Sequence, residues 1–410
     1  MKKGHEGVIR VKKGKKGILR AGHPWIFKSQ LLKADPAIKP GDIVTVTGDN
    51  GTFIGRGYYN PKSEITIRLL TFIDEPVNAP FFAKRITEAL KKREPLLGGR
   101  AGLNLPYPKC VTNACRVVFS EADGLPGLIV DLYNDTVVFQ ALTVGMDKLK
   151  PQIADILDEV LKPKYIYEKS ASSFRKLEDL KDVTGWWGEE GPGTVEIFEG
   201  KARYLVDIIS GHKTGFYLDQ RKSRMALDGV AKDRKVLDLF CYTGAFSVNA
   251  ALSGAKAIQG FDIKEPWLGL ARKNAELNGI SGKTEFKKGD AFGVLKKVNV
   301  SGEKFDLIIL DPPSFLKSRE SIVSASKGYR ELNTLAMNAL SDNGVLATFS
   351  CSHNMPNELF SKIIKESAAA AGKTFTVLKR CHQAEDHPIV RTIPETEYLK
   401  GYFLRISPAG

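Results

Sequence analysis

Short apolar strands alternate with helices through the C-terminal half of the chain, and this alternation constrains the fold more than any other feature. Four of the predicted strands cover residues 235–240, 257–262, 305–310 and 344–349. Apolar strands separated by helices of about 10–15 residues are typical of a parallel sheet covered on both faces. We therefore predict an α/β domain whose ligand binds at the carboxyl ends of the strands.

The first of these strands runs into a glycine turn at Gly244 that opens a helix. A dehydrogenase places G-x-G-x-x-G at such a turn, where the backbone and the helix N-terminus meet a pyrophosphate. That spacing is absent, and Asp238 stands at the strand end instead. A carboxylate here suits a cofactor with an ammonium or sulfonium and no phosphate, which makes a dehydrogenase the weakest enzyme hypothesis.

Acids follow three successive predicted strands. Asp262 ends the second strand, 18 residues after Gly244, where a carboxylate can bind both hydroxyls of a ribose. Asp290, in K-G-D-A-F at 288–292, ends a third predicted strand, which lies between those at 257–262 and 305–310. The series matches the methionine amine, the ribose and the adenine amino group of S-adenosylmethionine. Any one of these acids is also explained as a helix N-cap, so the prediction depends on all three together.

Two further segments supply residues for chemistry. Asp311 follows a buried strand and precedes two prolines that stop the sheet and fix the backbone. Cys351 follows the next strand, where a thiolate beside the cofactor is well placed as a nucleophile. Methylation of carbon 5 of a pyrimidine needs such a thiolate to add to carbon 6, with Asp311 protonating ring N3. His353 is either a general base or a structural or RNA-contacting residue.

Cysteine usage and hydropathy give expectations about compartment and metal. Five cysteines without a dense pattern argue against a disulfide scaffold, and Cys110 and Cys115 have no second pair at zinc spacing. We predict no metal site. The chain shows neither the apolar run of a signal peptide nor a long apolar stretch, so we expect a cytoplasmic protein without a membrane partner.

Positive charge is concentrated in the first 75 residues, which hold 14 Lys and Arg against 7 Asp and Glu, a net +7 of the +14 for the whole chain. Glycines break the basic run, and the alternation at 42–47 followed by Gly48-Asp49-Asn50-Gly51 predicts a hairpin. We predict a small β-rich module that binds nucleic acid through its phosphates. The assigned RNA contacts are Lys12, Lys13, Lys15, Arg20, His23 and Trp25.

Six segments spread over nearly the whole chain also carry a resemblance. They are R-A-G-H-P-W-I-F at 20–27, K-T-G-F-Y-L-D-Q-R at 213–221, D-L-F-C-Y-T-G at 238–244, D-P-P-S-F at 311–315, S-C-S-H at 350–353 and I-P-E-T-E-Y-L-K-G at 393–401. These motifs resemble the RlmI family of ribosomal RNA large-subunit 5-methylcytosine methyltransferases.

The residue patterns divide the chain into three domains, and the resemblance implies the same architecture: a PUA-like RNA-binding domain at 1–75, a small α+β domain at 76–190, and a Rossmann-like class I methyltransferase domain at 191–410. It also implies formation of 5-methylcytosine in 23S ribosomal RNA, with Cys351 as the nucleophile. Besides the three acids, the cofactor contacts are assigned to Phe240, Thr243, Gly244, Ile263, Ala291, Asp311, Pro312, Phe216, Gln220 and Arg221. For Arg221, contact with the cofactor carboxylate or RNA and a pairing with a surface acid are equally open.

Two other functions stay open from the sequence. An RNA amino-group methyltransferase acting on adenine N6 or guanine N2 needs no cysteine. A non-catalytic RNA-binding ribosome-assembly factor needs no cofactor. The sequence also leaves open the modified nucleotide, the choice between naked RNA and an assembling large subunit, and the oligomeric state, a homodimer included.

Overall fold

A computed structural model describes residues 7–12, 22–32, 34–98, 111–315 and 322–409. Three predicted RNA contacts, Lys13, Lys15 and Arg20, lie outside the described residues. The chain forms two compact units, each assembled from separate stretches of chain. Unit 1 comprises Met1–Ile197, Val206–Leu218 and Glu385–Thr396, and unit 2 comprises Phe198–Leu205, Asp219–Ala384 and Glu397–Gly410. The three domain boundaries drawn from the sequence stay a prediction.

The first sheet of unit 1 is built by the predicted β-rich module. Its strands are β1 (Gly7–Val11), β2 (Trp25–Phe27), β3 (Ile43–Gly48), β4 (Phe53–Tyr59) and β5 (Ile65–Thr71). They are arranged in the order β1-β3-β4-β5-β2, and β3 and β4 form the predicted antiparallel hairpin. Alternation along β3 places Val44 and Val46 in a core shared with Ile9 and Ile67.

The second sheet of unit 1 and the helices around it form a region of α+β character, as predicted. Its strands are β6 (Ala114–Phe119), β7 (Leu128–Tyr133), β8 (Thr136–Ala141), β9 (Tyr165–Ser170) and β10 (Val183–Trp187). Its helices are α1 (Ala79–Leu97), α2 (Val144–Leu161) and α3 (Ser173–Leu177). The parallel pair β8 and β9 is connected through α2, and apolar side chains of α1 and α2 complete its core.

A two-stranded sheet precedes the main α/β region and carries one of the boundaries between the units. It consists of β11 (Thr194–Glu199) and β12 (Ala202–Asp207). The regular alternation of strands and helices begins after this small sheet. The parallel sheet itself begins at Lys235.

Unit 2 contains a seven-stranded sheet in the order β15-β14-β13-β16-β17-β19-β18. The strands are β13 (Lys235–Leu239), β14 (Ala257–Asp262), β15 (Thr284–Lys288), β16 (Phe305–Leu310), β17 (Leu340–Ser350), β18 (Lys373–Cys381) and β19 (Lys400–Pro408). The first five pair in parallel, as predicted, whereas β19 is antiparallel to both β17 and β18.

The helices of unit 2 alternate with these strands. They are α4 (Arg221–Met225), α5 (Ala245–Leu252), α6 (Glu265–Leu277), α7 (Ala291–Ser301), α8 (Ile322–Ala339) and α9 (Asn357–Ala370). Side chains of β13, β16 and β17 pack with α7, α8 and α9 in one buried apolar cluster. No helix in the described part of the chain combines the length and apolar character that a membrane crossing requires.

The backbone that connects β13 to α5 is constrained by its conformation and by its packing. Gly244 has φ +76°, and a Cβ atom there would lie 3.0 Å from Cζ of Phe286 and 3.1 Å from Cβ of Ala271. Phe240 and Tyr242 also have positive φ, at +64° and +51°. Left-handed conformations at residues other than glycine are uncommon and cost free energy. The packing around the turn therefore holds this loop in one strained shape.

We expect Gly244→Ala to destabilise unit 2 more than Gly229→Ala does. Gly229 has φ +77°, and a Cβ atom there would meet nothing within 4 Å, so its substitution measures the backbone cost alone, about 1–2 kcal/mol. At Gly244 we expect a further loss of about 1–3 kcal/mol from overpacking. Free energies of unfolding from chemical denaturation test this, and equal losses in the two variants would contradict the packing argument.

Candidate active site

Asp238 lies next to the place where the strand order of unit 2 reverses. It is the penultimate residue of β13, opposite Gly260 of β14 and Ile309 of β16, and only 1% of its surface is exposed. The hydroxyl of Ser247, on α5, donates a hydrogen bond of 2.6 Å to Asp238 Oδ2. A reversal of strand order leaves a crevice at the carboxyl ends of the two central strands, where open α/β sheets bind ligands.

Three of the predicted site acids influence one another electrostatically. Burial raises the pKa of Asp238 to about 7, and the negative charges of Asp311 and Asp262 add to this effect. The hydrogen bond from Ser247 acts in the opposite direction because it favours the carboxylate. The site therefore concentrates negative charge at the ends of β13, β14 and β16, and a cationic ligand would relieve that repulsion.

Asp262 is held by the backbone on both of its oxygens. Its Oδ2 accepts from the Tyr242 amide at 3.0 Å, and its Oδ1 accepts from the Lys264 amide at 3.1 Å. A carboxylate has about four lone-pair sites, so two amides leave capacity for ligand hydroxyls. The next residue, Ile263, is 60% exposed, which is unusual for isoleucine and leaves an apolar surface beside the carboxylate.

Asp290 performs the capping role that its residue type also allows. It is the N-cap of α7, and its Oδ2 accepts from the amide of Gly293 at 2.9 Å. Ala291 begins the helix and is buried. Contacts of these two residues with a cofactor stay predictions, because the observed role of Asp290 is explained by the helix alone.

The loop residues after Asp238 include a buried hydroxyl. Thr243 is 1% exposed, its carbonyl oxygen accepts from Asn274, and its Oγ1 has no hydrogen-bond partner among the described residues. Leaving a buried polar atom unpaired costs about 1–3 kcal/mol. Cys241, in the same loop, is buried, and burial together with the charges of Asp238 and Asp262 raises its thiol pKa well above the usual value. Cys241 is therefore unsuited to be a nucleophile.

The predicted catalytic pair is brought together at the ends of β16 and β17. Asp311 directly follows β16, and Gln220 donates to its Oδ1 at 3.0 Å. The Cys351 thiol, one residue after β17, lies 3.9 Å from the carbonyl oxygen of Pro312. Parallel pairing of β16 with β17 produces this proximity. Cys351 is half-buried, whereas the other three described cysteines, Cys115, Cys241 and Cys381, are buried.

Three more of the predicted cofactor contacts have partners within their own unit. Arg221 is buried and pairs with the equally buried Glu199 at 3.3 Å, rather than with a surface acid. Phe240 packs against the apolar core of unit 2. Phe216 belongs to unit 1, where its amide donates to the Tyr133 hydroxyl at 3.2 Å. Its contact with the cofactor stays a prediction.

His353 is exposed and packs its ring against Tyr398, with ring centroids 4.9 Å apart and planes inclined by 32°. The Tyr398 hydroxyl donates to Asp219 Oδ2 at 2.6 Å. This stacked arrangement fits the structural interpretation of His353 better than that of a general base.

Three residues around the site received no role from the sequence. Ser247 bonds to Asp238, the Tyr329 hydroxyl donates to Ser350 Oγ at 3.1 Å, and Lys400 donates to Ser352 O at 2.7 Å. Ser247 and Tyr329 lie on helices, where a polar residue at one position carries no distinctive signal. Lys400 lies within the segment I-P-E-T-E-Y-L-K-G at 393–401, and the family resemblance of that segment could have pointed to a role for it.

In unit 1, the described RNA-contact candidates differ in accessibility. Lys12 is exposed and donates to Ser29 O at 3.1 Å. His23 is 7% exposed, its Nε2 lies 3.1 Å from Glu395 Oε2, and its Nδ1 accepts from the Trp25 amide. The Trp25 indole donates to Glu121 Oε1 at 2.9 Å. The geometry favours a structural role for His23, and RNA contact by these residues stays a prediction.

The site's residues fit S-adenosylmethionine. Its ammonium and sulfonium charges suit the concentrated acids, its ribose hydroxyls suit Asp262, and its adenine suits the exposed apolar surface of Ile263. The unpaired Thr243 hydroxyl supplies one more polar atom at the same strand ends. The sheet order with an antiparallel β19 and this acidic site define a class I S-adenosylmethionine-dependent methyltransferase.

Comparisons with known proteins agree with this class. Residues 174–396 match the family model of S-adenosylmethionine-dependent methyltransferases, and residues 9–72 match that of PUA-like domains. A methyltransferase crystallised in complex with SAH superposes with a TM-score of 0.83 at 24% identity, covering 97% of this chain and 99% of that one. A SAM-dependent methyltransferase from Streptococcus mutans gives 0.81 at 25% identity, covering 97% and 100%. The cofactor is S-adenosylmethionine.

Two relatives show to which methyltransferase family the chain belongs. Ribosomal RNA large subunit methyltransferase I from Alteromonas mediterranea is 39% identical over 391 residues, 95% of this chain and 96% of its own length. The protein of the same name from Tolumonas auensis is 40% identical over 394 residues, with the same coverage. The chain belongs to the ribosomal RNA large subunit methyltransferase I family.

Binding of S-adenosylmethionine should weaken by about tenfold as the pH falls from 8 to 6, because protonation of Asp238, whose pKa is about 7, removes the negative charge that attracts the ammonium. Binding at pH 6 should also release a proton. Isothermal titration calorimetry across this range tests both. Ser247→Ala should move the decline to higher pH, since it removes a bond that lowers the Asp238 pKa, and Asp238→Asn should flatten it. An unchanged pH dependence in Asp238→Asn would assign the effect to another group.

Proposed function

We propose that this protein methylates carbon 5 of a cytosine in 23S ribosomal RNA through a covalent bond between Cys351 and carbon 6. The relatives are named as methyltransferases of large-subunit ribosomal RNA, and we take the substrate of this protein from that name. One observation carries the choice of atom: a half-buried thiol at the end of β17 lies against the segment that begins with Asp311 at the end of β16. An amino-group methyltransferase has no use for a thiol at this place.

The proposed chemistry starts with the Cys351 thiolate. Its lone pair forms the bond to carbon 6 and electrons of the ring shift to N3. The carboxylate of Asp311 takes up a proton when the base binds and gives that proton to N3. Addition makes carbon 5 nucleophilic. When bound, S-adenosylmethionine supplies the methyl group that carbon 5 accepts. N3 then returns its proton to Asp311, a base removes the proton of carbon 5, and the electrons of that bond restore the ring double bond and expel the thiolate.

Several observed contacts would support these roles. Gln220 donates to Asp311 Oδ1 and fixes that carboxyl, and Pro312 and Pro313 restrict the backbone that follows it. The target base has to leave its stack or lie in a single strand to reach a thiol at a strand end. The proposal therefore needs a second element that holds the RNA.

We assign that role to the PUA-like module, whose proposed boundaries are residues 1 and 75. It precedes a proposed α+β domain at 76–190 and a proposed methyltransferase domain at 191–410. Its excess positive charge suits phosphates, whose contacts position RNA without reading its sequence. A cytoplasmic location belongs to this proposal, because the substrate is ribosomal RNA, either naked or in an assembling large subunit. A homodimer is compatible with it.

Replacing the thiol tests the proposed mechanism directly. We expect Cys351→Ala to abolish methyl transfer to ribosomal RNA and to leave S-adenosylmethionine affinity within about twofold, because the thiol acts on the base and not on the cofactor. Cys381→Ala is the matched control: it removes a buried thiol of β18 and should keep activity. Methyl transfer is measured with labelled cofactor, and binding by calorimetry.

A second readout follows the covalent bond itself. RNA with 5-fluorocytidine at the target has no carbon 5 proton to remove, so the protein–RNA adduct should persist on a denaturing gel, except with Cys351→Ala. Methylation retained by Cys351→Ala would refute the thiolate mechanism and favour the amino-group alternative. Absence of cofactor binding in the unmodified protein would favour the non-catalytic assembly factor.

RNA affinity should fall steeply as the salt concentration rises. A plot of the logarithm of the binding constant against the logarithm of the salt concentration should have a slope near −0.7 for each phosphate contacted in a single strand. Reversal of charge at Lys12, Lys13 and Lys15 should weaken RNA binding and reduce that slope, while cofactor affinity stays unchanged. Lys12→Glu compared with Lys362→Glu, at an exposed lysine of α9, controls for net charge. Equal losses from these two variants would contradict a docking role for the N-terminal module.

A further inference from the structure

A buried lysine lies beside the proposed nucleophile. Lys400 begins β19, is 4% exposed, and lies opposite Ser350 in the antiparallel pairing of β17 with β19. Its ammonium donates to the carbonyl oxygens of Ser352 at 2.7 Å and Tyr398 at 2.8 Å. The backbone of Lys400 therefore meets the residue before Cys351, and its side chain bonds to the residue after it.

The burial of this charge is costly enough to need a reason. An ammonium removed from water loses several kcal/mol of solvation unless partners replace the water. The two carbonyl oxygens occupy two of its three N–H groups. An apolar side chain of similar length would fill the same space at no such cost, so packing alone does not explain a lysine here.

The charges that act on Lys400 indicate what the ammonium does. Burial lowers its pKa to about 8, while the negative charges of Glu397 and of an ionised Cys351 act to raise it. At neutral pH the side chain is therefore mostly charged. Because the interaction between two charges is mutual, the same ammonium stabilises a thiolate at Cys351.

The other groups around Cys351 act in the opposite direction. The Cys351 thiol donates to the Pro312 carbonyl oxygen, 3.9 Å from Sγ. Tyr329 of α8 donates to Ser350 Oγ, and burial raises its pKa, so it stays neutral. An electron-rich oxygen disfavours a thiolate, whereas a cation favours it.

We propose that Lys400 is a positioning residue for Cys351, which fixes the backbone on both sides of the cysteine and stabilises its thiolate. The inference rests on the proposed function, because it takes Cys351 as the nucleophile. It adds to that function a residue on β19, the antiparallel strand of the sheet, whereas the acids of the site follow or belong to parallel strands.

A matched lysine exists in unit 1. The Lys169 ammonium donates to the carbonyl oxygens of Ile208 and Gly211, each at 2.7 Å, and burial lowers its pKa to about 8. The charge that acts on Lys169 is that of Asp207. Lys169→Met therefore removes a buried, carbonyl-bound ammonium of the same kind, and serves as the control for structural damage.

The experiment measures the alkylation rate of Cys351 by iodoacetamide from pH 6 to 10. Mass spectrometry of the peptide that contains Cys351 separates it from the other cysteines, and the full-length protein is used without RNA. In Lys400→Met the thiol pKa should rise by about one unit or more, which lowers alkylation at pH 7 about tenfold. In Lys400→Arg and Lys169→Met the thiol pKa should stay within about 0.3 units of its unmodified value.

Cofactor affinity, measured in each variant, reports whether unit 2 is folded. If Lys400→Met loses that affinity, the comparison of Lys400→Gln with Lys400→Arg replaces it. An unshifted thiol pKa in the uncharged variant would overturn the proposal, and so would an equal shift in Lys169→Met. Alkylation reads the thiol without methyl transfer, so its outcome is separate from the Cys351→Ala test of the proposed function.

Discussion

The parallel pairing of β13 with β14 on one side and β16 on the other is the constraint on which the site of unit 2 depends. Carboxyl ends of parallel strands meet at one edge of a sheet, so the acids of three strands come within electrostatic reach of one another. Burial of Asp238 makes this reach effective, because water no longer screens its neighbours. An excess of negative charge results, and it suits a methyl donor that is itself cationic.

The same edge holds its backbone in uncommon conformations. Phe240, Tyr242 and Gly244 all have positive φ, and the Thr243 hydroxyl between the last two is buried without a partner among the described residues. Strain of this kind persists where surrounding packing determines the shape of a loop, and Phe286 and Ala271 provide that packing at Gly244. A preformed loop lets the cofactor bind without first ordering it.

At the ends of β16 and β17, the proposed reactivity of Cys351 depends on a balance of charges. The carbonyl oxygen of Pro312, 3.9 Å from the thiol sulfur, opposes ionisation of the thiol, and in our proposal the ammonium of Lys400 favours it. Cys241 shows the contrasting case, in which burial and two carboxylates raise the thiol pKa well above its usual value. Two cysteines that follow strands of the same sheet thus lie in different electrostatic surroundings.

The sequence by itself determined the parallel α/β sheet, the β3–β4 hairpin, the α+β character of residues 114–187, and the segments that carry Asp238, Asp262, Asp311 and Cys351, because strand periodicity and strand ends are local features. Only the tertiary structure decided that Ser247 bonds to Asp238, that Arg221 pairs with Glu199 and that His23 is buried. Lys400 bonds to a residue 48 positions away because β19 inserts between β17 and β18. Such contacts depend on which distant segments pair, and no local pattern of residues encodes that choice.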